Sequence, residues 1–151
     1  MHVQRIYVDT SVLGGCFDAE FARWSNGLLK DFRLGTYLPV VSEVVATEIR
    51  GAPAPVREVY TELIASGAEL LAVNDPVLLL AELYQERRIL TPKFYDDCVH
   101  IALATTAAVD LLVSWNFKHI VHYDNAVNLE LGYKPLSIYS PREVTHYGED
   151  D

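Results

Sequence analysis

The 151-residue chain lacks several features that would define its class. Its two cysteines, Cys16 and Cys98, lie far apart without a C-x-x-C pair, which argues against a disulfide framework or a cysteine zinc site. No apolar run approaches the roughly 20 residues that a membrane-spanning helix needs. Residues Met1 to Arg5 also lack the basic and apolar segments of a signal peptide. We therefore expect a cytoplasmic protein that does not contact a membrane.

Basic residues are scarce as well, with 12 Lys and Arg against 21 Asp and Glu and a formal net charge of −9. Phosphate affinity normally rests on Lys and Arg, so this balance argues against a protein that coats nucleic acid through a broad basic surface. It leaves open an enzyme that meets phosphate through a bound cation. Because half of the residues are hydrophobic, we expect one globular domain over residues 1–146, followed by a disordered acidic tail over residues 147–151.

Neither glycine-rich phosphate loop, G-x-x-x-x-G-K-[ST] or G-x-G-x-x-G, occurs in the sequence. Short apolar runs instead alternate with helical segments. The predicted strands are residues 6–8, 37–41, 69–73, 111–114 and 136–139. The predicted helices are residues 18–35, 42–51, 55–67, 75–89, 95–109 and 117–131, with Gly14 and Gly15 in a loop and with Asp18, Ser42 and Asp75 as N-caps. This alternation predicts an α/β fold with a mainly parallel central sheet of about five strands, covered on both faces by helices.

Asp9, Thr10 and Ser11 directly follow the first predicted strand. Ligands of an open α/β sheet bind at the carboxyl ends of its strands, so this position favours a functional carboxylate flanked by two hydroxyl groups. An Asx turn at the end of a strand explains the same three residues equally well.

Glu48 is the second candidate. Val44 and Val45 lie four and three residues before it, so a helix places Glu48 on their apolar face. A carboxylate is costly to bury there unless it is paired, hydrogen-bonded or bound to a metal, which favours a functional role. Glu43 instead lies in the first helical turn, where the helix dipole stabilises a solvated carboxylate.

Asp96 and Asp97 begin an alanine-rich helix. Successive helical residues point about 100° apart, so the two carboxylates cannot aim equally well at one site. Asp97 shares a stripe with Ile101 and Ala104 and is the stronger candidate. Asp96 is a supporting neighbour, although two acids in a first turn also serve simply as partners of the helix dipole. His100 follows Asp97 by one turn, and we interpret it as a satisfied core residue outside the site.

Ser114, Trp115 and Asn116 follow the fourth predicted strand. Asn116 either caps the next helix or takes part in catalysis, and the sequence leaves both interpretations open.

Asp9, Glu48 and Asp97 are far apart in sequence but are predicted to meet at one end of the sheet. Clustered carboxylates raise one another's pKa unless a cation neutralises them. Because no cysteine or convergent histidine joins them, their oxygen atoms favour Mg²⁺ or Mn²⁺ over zinc. Such a site can polarise a phosphodiester and activate water for in-line attack.

Five segments resemble, in order and over nearly the whole chain, the PIN-domain family of ribonucleases, particularly its VapC toxin-like members. They are IYVDTSVL at 6–13, SEVVATEI at 42–49, YDDCVHIALA at 95–104, LVSWNFKH at 112–119 and IYSPREV at 138–144. The resemblance implies a three-layer α/β/α PIN-like domain. It also implies that Asp9, Glu48 and Asp97 are metal ligands and that Thr10 or Ser11 supplies a supporting hydroxyl group.

The family often carries a Thr-x-Asp/Asn-x-x-Asp-Phe pattern after its fourth strand, and residues 114–119 correspond to it. Asn116 takes the first acidic slot, where it would orient water or a metal-bound ligand with support from Ser114. His119 stands where a second Asp is common. Other Mg²⁺-dependent α/β classes fit less well: haloacid dehalogenase-like phosphatases need an Asp in place of Ser11, and receiver domains need paired acids where only Asp9 is present.

By this resemblance the chain is expected to be a Mg²⁺- or Mn²⁺-dependent endoribonuclease, the toxin of a toxin–antitoxin pair with RNA as substrate and an antitoxin protein as partner. A homodimer is expected too, with the apolar stretch VLLL at 77–80 in its interface and with Arg50, Lys93 and Lys118 around an RNA groove. The alternative is a catalytically weak PIN-like module that binds RNA or protein. Metal-dependent RNA cleavage distinguishes the two.

Overall fold

The computed structural model describes residues 2–87, 95–116 and 127–145. Within these ranges strands and helices alternate along the chain. In chain order they are β1 (Arg5–Val8), α1 (Thr10–Gly15), α2 (Ala22–Arg33), β2 (Leu38–Ser42), α3 (Glu43–Ile49), α4 (Ala54–Ala65), β3 (Glu69–Leu71), α5 (Asp75–Glu86), α6 (Tyr95–Thr106), β4 (Leu111–Val113), α7 (described residues 127–130), β5 (Ile138–Tyr139) and α8 (Pro141–Val144).

The five strands form one parallel sheet in the order β3-β2-β1-β4-β5, flanked by helices. The predicted α/β fold with a parallel five-stranded sheet and three α/β/α layers is confirmed. After β1 the chain builds outward through β2 and β3, and it then returns to the other side of β1 for β4 and β5. The strand order therefore reverses between β1 and β4, and such a switch point opens a crevice at the carboxyl ends of the strands.

The core lies on both sides of the central strands. In β1, Ile6, Tyr7 and Val8 are all fully buried, and so are Val40 and Val41 in β2. Continuous burial of this kind is typical of a parallel strand covered on both faces. No helix in the described ranges is long and apolar enough to cross a membrane.

One of the three predicted N-caps is correct. Ser42 accepts a hydrogen bond from the Val45 amide and caps α3, as predicted. The prediction for α5 is wrong by one residue: Asn74, not Asp75, is the N-cap, since the Asn74 side chain accepts from the Val77 amide. Asp75 is instead the first residue of the helix.

The loop predicted at Gly14 and Gly15 is wrong, since both residues belong to α1. Glycine costs about 1 kcal/mol in a helix relative to alanine. Val12 and Leu13, fully buried in the same helix, supply packing that outweighs this cost. The predicted cap at Asp18 is also wrong: its Oδ1 accepts from the Glu20 amide in a turn, and α2 begins at Ala22.

Candidate functional site

Asp9 lies at the carboxyl end of β1, directly at the crevice between β1 and β4. Its side chain is buried and accepts two hydrogen bonds, from Ser11 Oγ to Oδ1 at 2.7 Å and from Ser114 Oγ to Oδ2 at 2.9 Å. The register places Val8 opposite Val113, so the residue after each strand meets the other at this edge. Burial raises the pKa of the Asp9 carboxyl group, against the opposing influence of His100 and the two serines.

Glu48 approaches the same edge from α3. Its Oε1 accepts hydrogen bonds from Thr10 Oγ1 at 2.6 Å and from His100 Nε2 at 2.9 Å. Burial pushes the pKa of Glu48 upward, but the hydrogen bonds from His100 and Thr10 together outweigh it and leave the pKa below its ordinary value. Glu43 is exposed as predicted, although its Oε1 also accepts from the Val73 amide.

Asp97 reaches the site from the first turn of α6, where it is partly buried while Asp96 is exposed. Ile101 and Ala104 on the same stripe are fully buried. Every residue from Cys98 to Thr105 is buried, however, so the helical phase predicted for Asp97 stays a prediction. Burial raises the pKa of Asp97 to about 6, and the negative charges of Asp9, Glu48 and Asp96 raise it further against the opposing effect of His100. Three acids from three elements therefore share one electrostatic neighbourhood.

His100 is the residue that sequence reasoning left outside the site. It is buried, as predicted for a core residue. Its ring nevertheless contacts both the core and the site, because Nδ1 lies 2.7 Å from the Tyr7 hydroxyl and Nε2 lies 2.9 Å from Glu48 Oε1. Tyr7 in turn lies 2.8 Å from Ser42 Oγ. The available signal was spacing, because His100 follows Asp97 by one helical turn on the same inward face.

The segment after β4 is tied to Asp9 through serine hydroxyl groups. The Trp115 amide donates to Ser11 Oγ at 3.1 Å, and the Asn116 amide donates to Ser114 Oγ at 2.9 Å. It is thus the backbone of Asn116 that these bonds anchor, while the residue as a whole is exposed. Both its proposed catalytic role and its proposed capping role stay predictions, because residues 117–126 lie outside the described ranges.

An aromatic cluster borders the segment after β4, and it consists of Phe21, Trp24 and Trp115. The ring of Trp115 stacks on Phe21 with centroids 4.1 Å apart and meets Trp24 edge-on at 6.5 Å. Its Nε1 donates to Ser25 Oγ at 3.0 Å. The guanidinium group of Arg142 lies 4.1 Å from the Trp24 ring centroid. The cluster therefore fastens the segment after β4 to α2 and α8.

Of the three predicted RNA-binding residues, Arg50 is exposed at the C-cap of α3, one position after the helix that carries Glu48. Lys93 and Lys118 lie outside the described residues, as do His119 and the acidic tail.

The donor set of the site is made of oxygen atoms, which is the chemistry that Mg²⁺ and Mn²⁺ prefer. Across residues 2–87, 95–116 and 127–145, however, no group of three or more His, Cys, Asp or Glu side chains is arranged to hold a metal ion. Asp9 and Glu48 each direct carboxylate oxygens at hydrogen-bond donors of the protein itself. Mg²⁺ usually keeps several of its water molecules, so these carboxylates would hold it in part through water.

Among solved structures, fourteen chains match this one. A chain of FitAcB from Neisseria gonorrhoeae, whose FitB is a PIN-domain VapC-like toxin, aligns with a TM-score of 0.61 over 92% of this chain and 99% of that chain. The chain has a PIN-domain fold. Because the sequence identity is 12%, this similarity shows the fold alone. Neither a family model nor a curated protein matches the sequence.

Proposed function

We propose that the protein is a divalent-metal-dependent endoribonuclease with a toxin-like PIN domain. The observation that carries this proposal is the position of Asp9 at the carboxyl end of β1, with Glu48 beside it on the Thr10 hydroxyl group. The charges of both acids also act on Asp97 of α6. Mutually repelling carboxylates at a ligand-binding edge need a cation, and a chain of net charge −9 needs one to approach phosphate.

The three carboxylates would hold Mg²⁺ or Mn²⁺, whose chemistry when bound is polarisation of the phosphodiester and activation of water for in-line attack. Ser11 and Ser114 orient the Asp9 carboxylate, and Thr10 orients that of Glu48. Arg50, exposed at the C-cap of α3, would meet the RNA backbone. Asn116 would orient the attacking water or a metal-bound ligand.

The context of this activity is proposed on the same grounds. The PIN fold shared with FitAcB supports a toxin paired with an antitoxin protein, acting on RNA in the cytoplasm. It supports a homodimer as well. A small reading frame upstream of the gene, encoding a DNA-binding N-terminus, is the expected genetic neighbour.

A second candidate function has one observation in its favour. Glu48 is already paired with His100 and Thr10, and the described residues hold no three-residue metal group. A catalytically weak PIN-like module that binds RNA or protein would show the same features.

The test is cleavage of end-labelled single-stranded and structured RNA by the full chain in Mg²⁺, in Mn²⁺ and in EDTA. We expect cleavage with either metal, its loss in EDTA and its return with excess Mg²⁺. Asp97→Asn should abolish cleavage, whereas the matched control Asp96→Asn should reduce it far less, because the Asp96 side chain is exposed. Cleavage that persists in EDTA contradicts the metal mechanism. RNA binding without cleavage in any metal supports the second candidate.

A further inference from the structure

A continuous chain of hydrogen bonds runs from the first turn of α3 through the core to Glu48. The Val45 amide donates to Ser42 Oγ, which lies 2.8 Å from the Tyr7 hydroxyl. That hydroxyl lies 2.7 Å from His100 Nδ1, and His100 Nε2 lies 2.9 Å from Glu48 Oε1. Ser42, Tyr7 and His100 are at most 2% exposed. Two strands, β1 and β2, and two helices, α3 and α6, thus contribute to one path that ends at the candidate site.

The chemistry of Glu48 fixes the direction of the last hydrogen bond in this path. An ionised carboxylate only accepts hydrogen bonds, so His100 Nε2 carries the hydrogen that points to Glu48. A neutral ring accepts from the Tyr7 hydroxyl at Nδ1, whereas an imidazolium donates to the Tyr7 oxygen there, and in both states Nε2 donates to Glu48. Burial holds the pKa of Tyr7 far above its ordinary value, so the hydroxyl keeps its proton. At the far end of the path, the Ser42 oxygen accepts from the Val45 amide.

A histidine that only packs in the core does not require hydrogen-bond partners at both ring nitrogens. Here the ring is fixed at both nitrogens, and it shares its acceptor, Glu48 Oε1, with Thr10 at 2.6 Å. Carboxylates that bind metals are themselves commonly hydrogen-bonded by neighbours that orient them. We propose that His100, oriented by Tyr7, is a positioning residue that fixes Glu48 through Oε1 and so assigns Oε2 to the divalent cation, a role that rests on the proposed function.

Two substitutions of His100 separate positioning from packing. His100→Gln places an amide donor near the position of Nε2 and keeps the bond to Glu48, whereas His100→Asn places its amide near Nδ1 and keeps only the bond to Tyr7. Mn²⁺ binding to the full chain, measured by calorimetry without RNA, should weaken about 10- to 100-fold in His100→Asn. In His100→Gln it should stay close to that of wild type. Equal Mn²⁺ affinity in the two variants, with equal loss of melting temperature, overturns the proposal.

Two tyrosines supply a matched pair for the other end of the path. Tyr7→Phe should weaken Mn²⁺ binding, whereas Tyr84→Phe should lower only the melting temperature. Tyr84 is equally buried, but its hydroxyl donates to Asn128 and meets Thr105. Equal effects of both substitutions on Mn²⁺ affinity contradict a specific role for Tyr7.

A spectroscopic measurement on the metal-free wild-type protein keeps the inference testable where variants fail to fold. Nitrogen-15 NMR of the imidazole rings should show His100 protonated at Nε2. A ring protonated at Nδ1 alone cannot donate to Glu48 and overturns the proposal. A wild-type chain that neither binds Mn²⁺ nor cleaves RNA overturns the proposed function together with this role. A wild-type chain that does both, with His100→Asn unchanged in affinity, overturns the role alone.

Discussion

At the scale of single residues, the Asp97 carboxyl group links stability to pH. Its pKa rises from 3.8 to about 6 because of burial and the neighbouring acids. The folded protein therefore binds this proton more tightly than the unfolded chain does. The stabilisation is fully present below the ordinary aspartate pKa and is lost as the pH rises through about 6. At neutral pH the charged carboxylate destabilises the metal-free fold by about 1 kcal/mol, after allowance for its partial exposure.

Asp97→Asn should therefore raise the melting temperature in EDTA at neutral pH by about 2–4 °C. The gain should vanish in acid, where the wild-type group is protonated. Thermal melts at several pH values check this. Asp96→Asn serves as control because its side chain is exposed, and an equal gain from it would refute the assignment of Asp97 to the cluster.

Asn116 permits a prediction about charge at the edge of the site. An amide oxygen can contact a cation or a water molecule but adds no negative charge. If its side chain takes part, Asn116→Asp should lower the Mg²⁺ concentration for half-maximal cleavage and lower the melting temperature in EDTA, because a fourth carboxylate joins the cluster. Titration of Mg²⁺ against the cleavage rate, with parallel melts, measures both. Flat responses would leave Asn116 as a helix cap.

The sequence singled out Asp97 and Glu48 by helical phase. Asp97 is partly buried, whereas the expected burial of Glu48 is wrong: Glu48 is exposed and is hydrogen-bonded to Thr10 and His100. His100, Tyr7 and Ser42 could not be joined in the same way. Their hydrogen bonds depend on how β1 and β2 pair and on where α6 packs against them. The spacing of residues along the chain predicts neither of these arrangements.

At the scale of elements, α1 holds two adjacent glycines with different surroundings. A Cβ added to Gly15 would lie 2.6 Å from Ser25 Oγ and 2.7 Å from Trp115 Nε1, whereas one added to Gly14 meets no atom within 4 Å. Gly15→Ala should destabilise the protein by about 1–3 kcal/mol, because the side chains of Ser25 and Trp115 must move away from α1 to make room for the new methyl group. Gly14→Ala should stabilise it by about 0.5–1 kcal/mol.

Urea denaturation of both variants provides the measurement. The first substitution should also impair cleavage, because Trp115 carries the segment that contacts Asp9 through Ser11. Similar midpoints for the two variants would mean that Trp115 is not seated against α1.

The same helix shows where prediction from local signals ends. Two consecutive glycines indicate a loop, and only the burial of Val12 and Leu13 against the rest of the domain favours a helix. Caps are only partly predictable: Ser42 accepts from an amide three residues along the chain as predicted, but Asn74 takes the position predicted for Asp75.

At the scale of the whole molecule, the fold class follows from alternating patterns, but the strand order β3-β2-β1-β4-β5 does not. Apolar runs show that strands are buried and leave open which strand pairs with which. FitAcB shares this fold at 12% identity, which shows how little of it depends on particular side chains.

The proposed homodimer needs an apolar surface, and α5 offers a smaller one than the VLLL stretch indicates. Val77 and Leu80 are core residues, while Leu78 and Leu79 are 38% and 60% exposed. Leu79→Glu should shift the mass measured by light scattering from dimer to monomer, because it places a charge in the interface. Leu34→Glu, at a 68% exposed leucine after α2, should leave the mass unchanged. A wild-type protein that is monomeric at micromolar concentration would contradict the proposed homodimer.

The aromatic cluster beside the site has an optical consequence. Trp24 and Trp115 are the two tryptophans of the chain, and both belong to it. Intrinsic tryptophan fluorescence therefore originates within a few side chains of Asp9, to which Trp115 is linked through Ser11. The emission wavelength, and its quenching by iodide or acrylamide, would follow events at the end of β4 in real time, without a dye or an engineered label.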